Sequence, residues 1–180
     1  LCMTETDNSS PGQIHIVTLS VAGNIDVFTR YVYCDIIVDN LNYFIEQKHL
    51  LVYEYVLMPS RLYLMAGTGK GNISRLLRDF KRITGQQLFR AVSTNAKEDR
   101  KEWLNRLFNF YSNRYQDNSD RHFWQFGNNP RIVQENSLEV QRMELLQIPV
   151  KARLVADASH YLYCSAYPHQ RVKLCRLQQE

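Results

Sequence analysis

No pair of cysteines in this chain has the spacing of a metal knuckle. The four are Cys2, Cys34, Cys164 and Cys175, with no Cys-x-x-Cys among them. His160 near Cys164 and His169 near Cys175 complete no zinc-binding set either. The expectation is reduced thiols in a cytoplasmic protein. Also missing are an apolar run long enough to cross a bilayer and a basic-then-apolar secretion signal at the N-terminus. Gly67-Thr-Gly-Lys-Gly71 has the composition of a phosphate loop. It lacks the spacer before Gly-Lys and the Ser or Thr after the lysine, so a Walker-type site is excluded and a loop before a helix fits better.

What is present suits one soluble domain. The 180 residues suffice for a single core and are too few for two comfortable ones. Hydrophobic and charged shares of 44% and 22% are ordinary. A net charge of +4 says little, but its distribution says more. Between positions 61 and 90 stand Arg61, Lys70, Arg75, Arg78, Lys81, Arg82 and Arg90 against the single acid Asp79. Such an excess is what a phosphate-binding face requires, because neutralised phosphates release counterions. The plainer alternative is a solvated helix face.

Residues 1–12 are polar and end in Pro-Gly, a disordered lead-in. Residues 13–21 alternate as a strand with one imperfect step, and Gly23-Asn24 signals a turn. Val32, Ile36, Ile37, Leu41, Phe44 and Ile45 repeat at helical spacing over 29–47, with Thr29 as N-cap. Residues 50–58 are β-branched and aromatic, and 61–66 read as their hairpin partner across Pro59-Ser60. Asn72 to Ser74 can cap a helix running to about Val92, on which Arg75, Arg78 and Arg82 share a stripe away from the core. The spacing predicts another helix over 97–111, with Trp103, Leu104, Leu107 and Phe108 inward, then a loop at 112–121. Phe123-Trp-Gln125 leads to a short strand near 131–133. A last helix starts at Asn136 or Ser137 and should stop near Ile148, because Pro149 follows. The order implies an α+β fold: a ferredoxin-like antiparallel sheet with a β-α-β-β-α-β core, helices on one face and additional C-terminal helices. The domain expectation is a lead at 1–12, one domain over 13–166 and an irregular basic tail at 167–180.

Several segments, in this order and spacing, carry a family likeness. They are Leu41-Asn-Tyr-Phe-Ile45, Tyr55-Val-Leu-Met-Pro59, Gly71-Asn-Ile-Ser-Arg-Leu-Leu-Arg-Asp-Phe-Lys81, Arg100-Lys-Glu-Trp103, Phe123-Trp-Gln125, Pro149-Val-Lys-Ala152 with Leu154-Val155, and Tyr161-Leu-Tyr-Cys-Ser-Ala166. Together they resemble the REP-associated, single-tyrosine HUH transposases of the Bacteroidetes type. That resemblance implies a strand carrying two histidines at i and i+2, which share a face and hold Mg or Mn beside the scissile phosphate. It also implies a tyrosine on the last helix that becomes joined to the DNA 5′ end. Here Arg61 and Tyr63 stand at the histidine positions. Counting back from Pro149 puts Glu144 at the nucleophile, preceded by Met143; Leu146, Ile148 and Arg153 replace further family residues.

The expectation is a transposase-family DNA-binding protein with no catalytic residue, no metal ligand and no cofactor. Its DNA-contacting residues would be Arg61, Lys70, Arg75, Arg78, Lys81, Arg82, Lys151 and Arg153. Its partner would be single-stranded or hairpin DNA rather than a membrane, with a homodimer among the states left open. Arg61 can grip a phosphate oxygen bidentately but cannot bind a metal, since it stays protonated. Trp124, Tyr53 or Tyr55 offer stacking faces, against core packing as the plain alternative. Two rival readings stand beside this one. The first is a transposase that still nicks DNA, with Tyr63 as substitute nucleophile; the second is a ferredoxin-like protein-interaction domain with no nucleic-acid role.

Overall fold

The computed structural model describes residues 12–114, 123–127 and 130–177, without the side chains of 112–114. The 1–11 lead and most of the loop expected at 112–121 lie outside the described residues. Four strands, β1 (His15–Ser20), β2 (Leu50–Met58), β3 (Arg61–Thr68) and β4 (Arg131–Ile132), form one sheet in the order β2-β3-β1-β4. Every pairing is antiparallel. The helices are α1 (Tyr31–Lys48), α2 (Ile73–Thr94), α3 (Lys101–Arg114), α4 (Leu138–Leu146) and α5 (Ile148–Lys151). This is the expected α+β architecture, with an extra helix before a very short fourth strand.

Strand alternation sorts the apolar residues onto two faces. Val17 and Leu19 of β1 and Leu62, Leu64 and Ala66 of β3 point into the main core, which α1, α2 and α3 cover with Ile37, Leu41, Phe44, Leu77, Phe80, Leu104 and Phe108. Ile16, Tyr63 and Met65 point the other way and meet Leu138, Leu145, Leu146 and Ile148 of the C-terminal helices. A bulge between Val52 and Glu54 shifts β2 by one residue. It puts Val52, Tyr55 and Leu57 on the main core face while Tyr53, Val56 and Met58 join the second cluster. The two-residue Pro59-Ser60 link is anchored by its carbonyls, which accept from Phe28 N and Val21 N at 2.9 Å each.

Local chemistry moved several predicted boundaries. The first helix begins at Tyr31, and Thr29 does not cap it; the Thr29 hydroxyl accepts from Arg100 at 3.2 Å instead. Trp103 is 52% exposed, not inward. Helix α3 starts at Lys101, and its wholly buried positions, Leu104 and Phe108, are one turn apart, which leaves Trp103 at the flank. Pro149 does not end the helical path either. It sits in the first turn of α5, where its missing N–H costs nothing.

Residues 163–177 have no helix or extended strand, yet they are docked. Leu57 N donates to Tyr163 O, Ser165 N to Tyr55 O and Cys175 N to Val52 O. These bonds cover the outer edge of β2, which would otherwise present unpaired backbone groups. Arg171 pairs with Asp35 and Lys173 with Glu46, holding the same segment to α1.

Candidate nucleic-acid interface

Arg61 opens β3 and shares the second sheet face with Tyr63. Its guanidinium donates to Tyr63 Oη at 3.5 Å and to Asn24 Oδ1 at 3.2 Å. Asn24 is held at φ 51° directly after Gly23 at φ 66°. Glycine is required at 23, because a Cβ there would stand 2.3 Å from the Tyr111 ring. The same Asn24 Oδ1 accepts from Gln125 Nε2 at 3.2 Å. Gln125 O and Gly127 O in turn accept from Lys81 Nζ, both at 2.7 Å. A continuous chain of hydrogen bonds thus runs from Arg61 through Asn24 and Gln125 to Lys81 on α2.

Lys81 therefore differs from the neighbours with which the sequence grouped it. Its ammonium is half-buried and held by two carbonyls, and burial lowers its pKa to about 8. It braces the 123–127 segment and does not stand in the solvent-facing row. Arg75, Arg78 and Arg82 do stand there, all exposed, with Asp79 only 4.0 Å from Arg82. Asn72 positions this stretch, since its side chain accepts from Arg75 N at 3.0 Å and caps α2. Lys70 is exposed in the loop just before it, where the Thr68 hydroxyl bonds its backbone N and O.

The predicted cations divide between two layers. Lys151 and Arg153 are exposed at the end of α5, which packs through Ile148 on the sheet face opposite α2. Glu144 is exposed and lines an outer groove of α4 with Val140, Met143 and Gln147, while Leu145 and Leu146 turn inward. Among the described residues, no hydrogen bond or ion pair joins Glu144 to Arg61 or Tyr63.

A divalent ion of the kind the resemblance implies does not fit these residues. The strand pair is a permanent cation and a phenol, and Glu144, at the family's nucleophile position, lines the outer groove of α4. Among the described residues no three His, Cys, Asp or Glu side chains gather into a metal-sized group. Other phenols are held protonated. Burial pushes Tyr161 up to about 12 while its hydroxyl donates to Leu57 O, and burial likewise raises Tyr163, which donates to Asp35. Two of the three stacking candidates are core residues. Trp124 is buried with its indole N–H donating to Thr84, and Tyr55 is buried against α1.

Two polar clusters escaped the sequence. Glu54 accepts from Arg142 Nε at 2.5 Å and from the Ser165 hydroxyl, tying β2, α4 and the C-terminal segment together. Glu98 is buried among Tyr33, Arg30 and Arg100. Each is assembled from distant positions, so no local spacing announces it.

No protein-family model matches the chain, and no curated protein matches it significantly. Solved structures do match. A REP-associated tyrosine transposase bound to a REP hairpin superposes with a TM-score of 0.62 at 10% identity, over 91% of this chain and 82% of that one. A protein of Deinococcus radiodurans R1 assigned as a transposase gives 0.49 at 14% identity, over 81% of this chain and 96% of that one. The fold is transposase-like. No described helix of this transposase-like fold is long and apolar enough to cross a membrane.

Proposed function

We propose that the chain binds DNA, single-stranded or folded into a hairpin, and does not cut it. The observation that carries this reading is the exposed row of Arg75, Arg78 and Arg82 on α2, set on a fold shared with a hairpin-bound transposase. A phosphate backbone would meet that row and Lys70, and Arg61 would hold a further phosphate oxygen at the strand position. Arg61 shares its sheet face with the layer of Lys151 and Arg153, so a strand held by the α2 row would reach these three only by passing around the end of the sheet. Silence toward cleavage follows from the donor set: Arg61 and Tyr63 supply charge and a hydrogen bond but no metal ligation, and Glu144 supplies no phenol.

Fluorescence anisotropy with hairpin and random duplex DNA tests the binding. Affinity should fall steeply with salt, and the triple substitution of Arg75, Arg78 and Arg82 to Gln should lower the slope of log K against log salt by about 2–3. An unchanged slope, or no preference for the hairpin, would count against this reading. Incubating labelled hairpins with Mg or Mn should give no protein-linked product; a covalent adduct would restore the nicking alternative.

A further inference from the structure

A cavity of about 360 Å³ opens at the outer edge of β2, between the start of α1 and residues 162–171. Its mouth carries Tyr31, a residue 71% exposed, whose ring tilts against that of Tyr163 at a centroid distance of 6.3 Å. Tyr55 lines it from below, 1% exposed. Among the described residues the Tyr55 hydroxyl has no hydrogen-bond partner, which is unusual for a buried polar group.

The polar wall is an acceptor beside donors. Asp35 Oδ1 takes both the Tyr163 hydroxyl at 3.0 Å and the Arg171 Nη2. Among the described residues Asp35 Oδ2 and the Nε and Nη1 groups of Arg171 remain free. Because Asp35 already neutralises Arg171, the wall gives a free anion little net attraction. A neutral planar heterocycle with N–H donors and ring or carbonyl acceptors satisfies both edges and lies against tyrosine. The volume suits such a small, half-enclosed ligand. Location points the same way, because Tyr163 O accepts from Leu57 N, and Leu57 and Met58 pair with Leu62 and Arg61. The cavity and Arg61 thus lie at one end of the sheet.

We infer that this cavity takes one unpaired base of a DNA strand whose backbone is held at Arg61 and α2. The inference rests on the DNA-binding reading but is tested apart from it. The first arm scans a bound single-stranded flank with abasic sites, using the wild-type chain and Tyr31→Ala, a substitution at an exposed position. One abasic position should weaken wild-type binding about tenfold and leave the Tyr31→Ala protein, already weakened, unaffected. Equal losses in both proteins at every position would overturn the inference while leaving DNA binding intact. The second arm titrates deoxynucleoside monophosphates into the labelled chain at millimolar concentration. Amide shifts at 31–38 and 162–171 support the cavity even if hairpins do not bind. Their absence, or shifts confined to α2, overturns it.

Discussion

Glu98 shows how much a single carboxylate can organise. Its side chain is wholly buried, accepts from Tyr33 at 3.0 Å and from the Arg100 guanidinium at 3.0 Å, and pairs with Arg30 at 2.9 Å. Burial alone would raise its pKa, but the hydrogen bonds of Arg100 and Tyr33 and the charge of Arg100 hold it below the ordinary carboxylate range. A folded-state pKa below the unfolded one means that its stabilisation is complete at neutral pH. That stabilisation is lost as pH falls through the depressed value. Glu98→Gln should cost about 2–3 kcal/mol at pH 7 and flatten the acid limb of a stability-versus-pH curve measured by urea titration. An equally steep acid limb in the variant would assign the effect to other carboxylates. Little of this could be read from the chain, because only Arg100 is a near neighbour of Glu98, whereas Tyr33 arrives from α1 and Arg30 from the residue that precedes it. Arg61 and Tyr63 were legible, since alternation along a strand fixes their shared face once the strand is recognised. The engagement of Arg61 by Asn24 was not, since it depends on a left-handed residue in a turn.

Among elements, α4 is the one whose attachment the pattern did not reveal. Helical periodicity marks an apolar side but not which face of the sheet receives it, and the expectation of a last helix said nothing about Glu54. That residue is buried on β2 and bonded to Arg142 on α4, which also pairs with Glu139 at 3.0 Å. Removing Glu54 takes the buried partner from Arg142, which is a third exposed and keeps Glu139. Glu54→Gln should therefore cost about 1–2 kcal/mol, and the double change Glu54→Met with Arg142→Leu should recover most of that loss. A double-mutant cycle on chemical denaturation midpoints measures the coupling. A coupling near zero would show that α4 is held by Leu145 and Leu146 alone. The boundaries of α2, by contrast, were legible to within two residues, because Asn72 is a strong capping residue and the apolar stripe from Ile73 to Val92 continues with no proline and a single glycine. Glycine at 85 is tolerated there because Phe123 packs directly over it, at 3.3 Å from where a Cβ would lie.

At the scale of the whole molecule, the α+β class with an antiparallel sheet was recoverable from the sequence of elements, but the fate of the C-terminal segment was not. A polar, irregular stretch reads as a tail, whereas Val172 is buried and Cys175 N bonds the β2 backbone. Truncation after Ala166 keeps the Tyr163 and Ser165 bonds but removes the Val172 packing and the Cys175 bond, so it should lower the melting temperature and free the Val52 part of the β2 edge, giving concentration-dependent association in light scattering. A truncated chain that stays monomeric with unchanged melting would show that this segment is dispensable. The same segment builds one wall of the cavity under Tyr31, so truncation and the loss of base-dependent DNA affinity should coincide.

The surplus residue in β2 has a consequence for what the fold can lose. Val52 pairs with Ala66 and Glu54 with Met65, so the two positions flanking Tyr53 already face consecutive partners on β3. Excising Tyr53 would straighten the strand without sending any other side chain to the wrong layer, whereas excising Val56 would invert everything up to the hairpin. Circular dichroism melts of the two single-residue deletions should separate them sharply: one a shortened but ordered chain, the other unfolded.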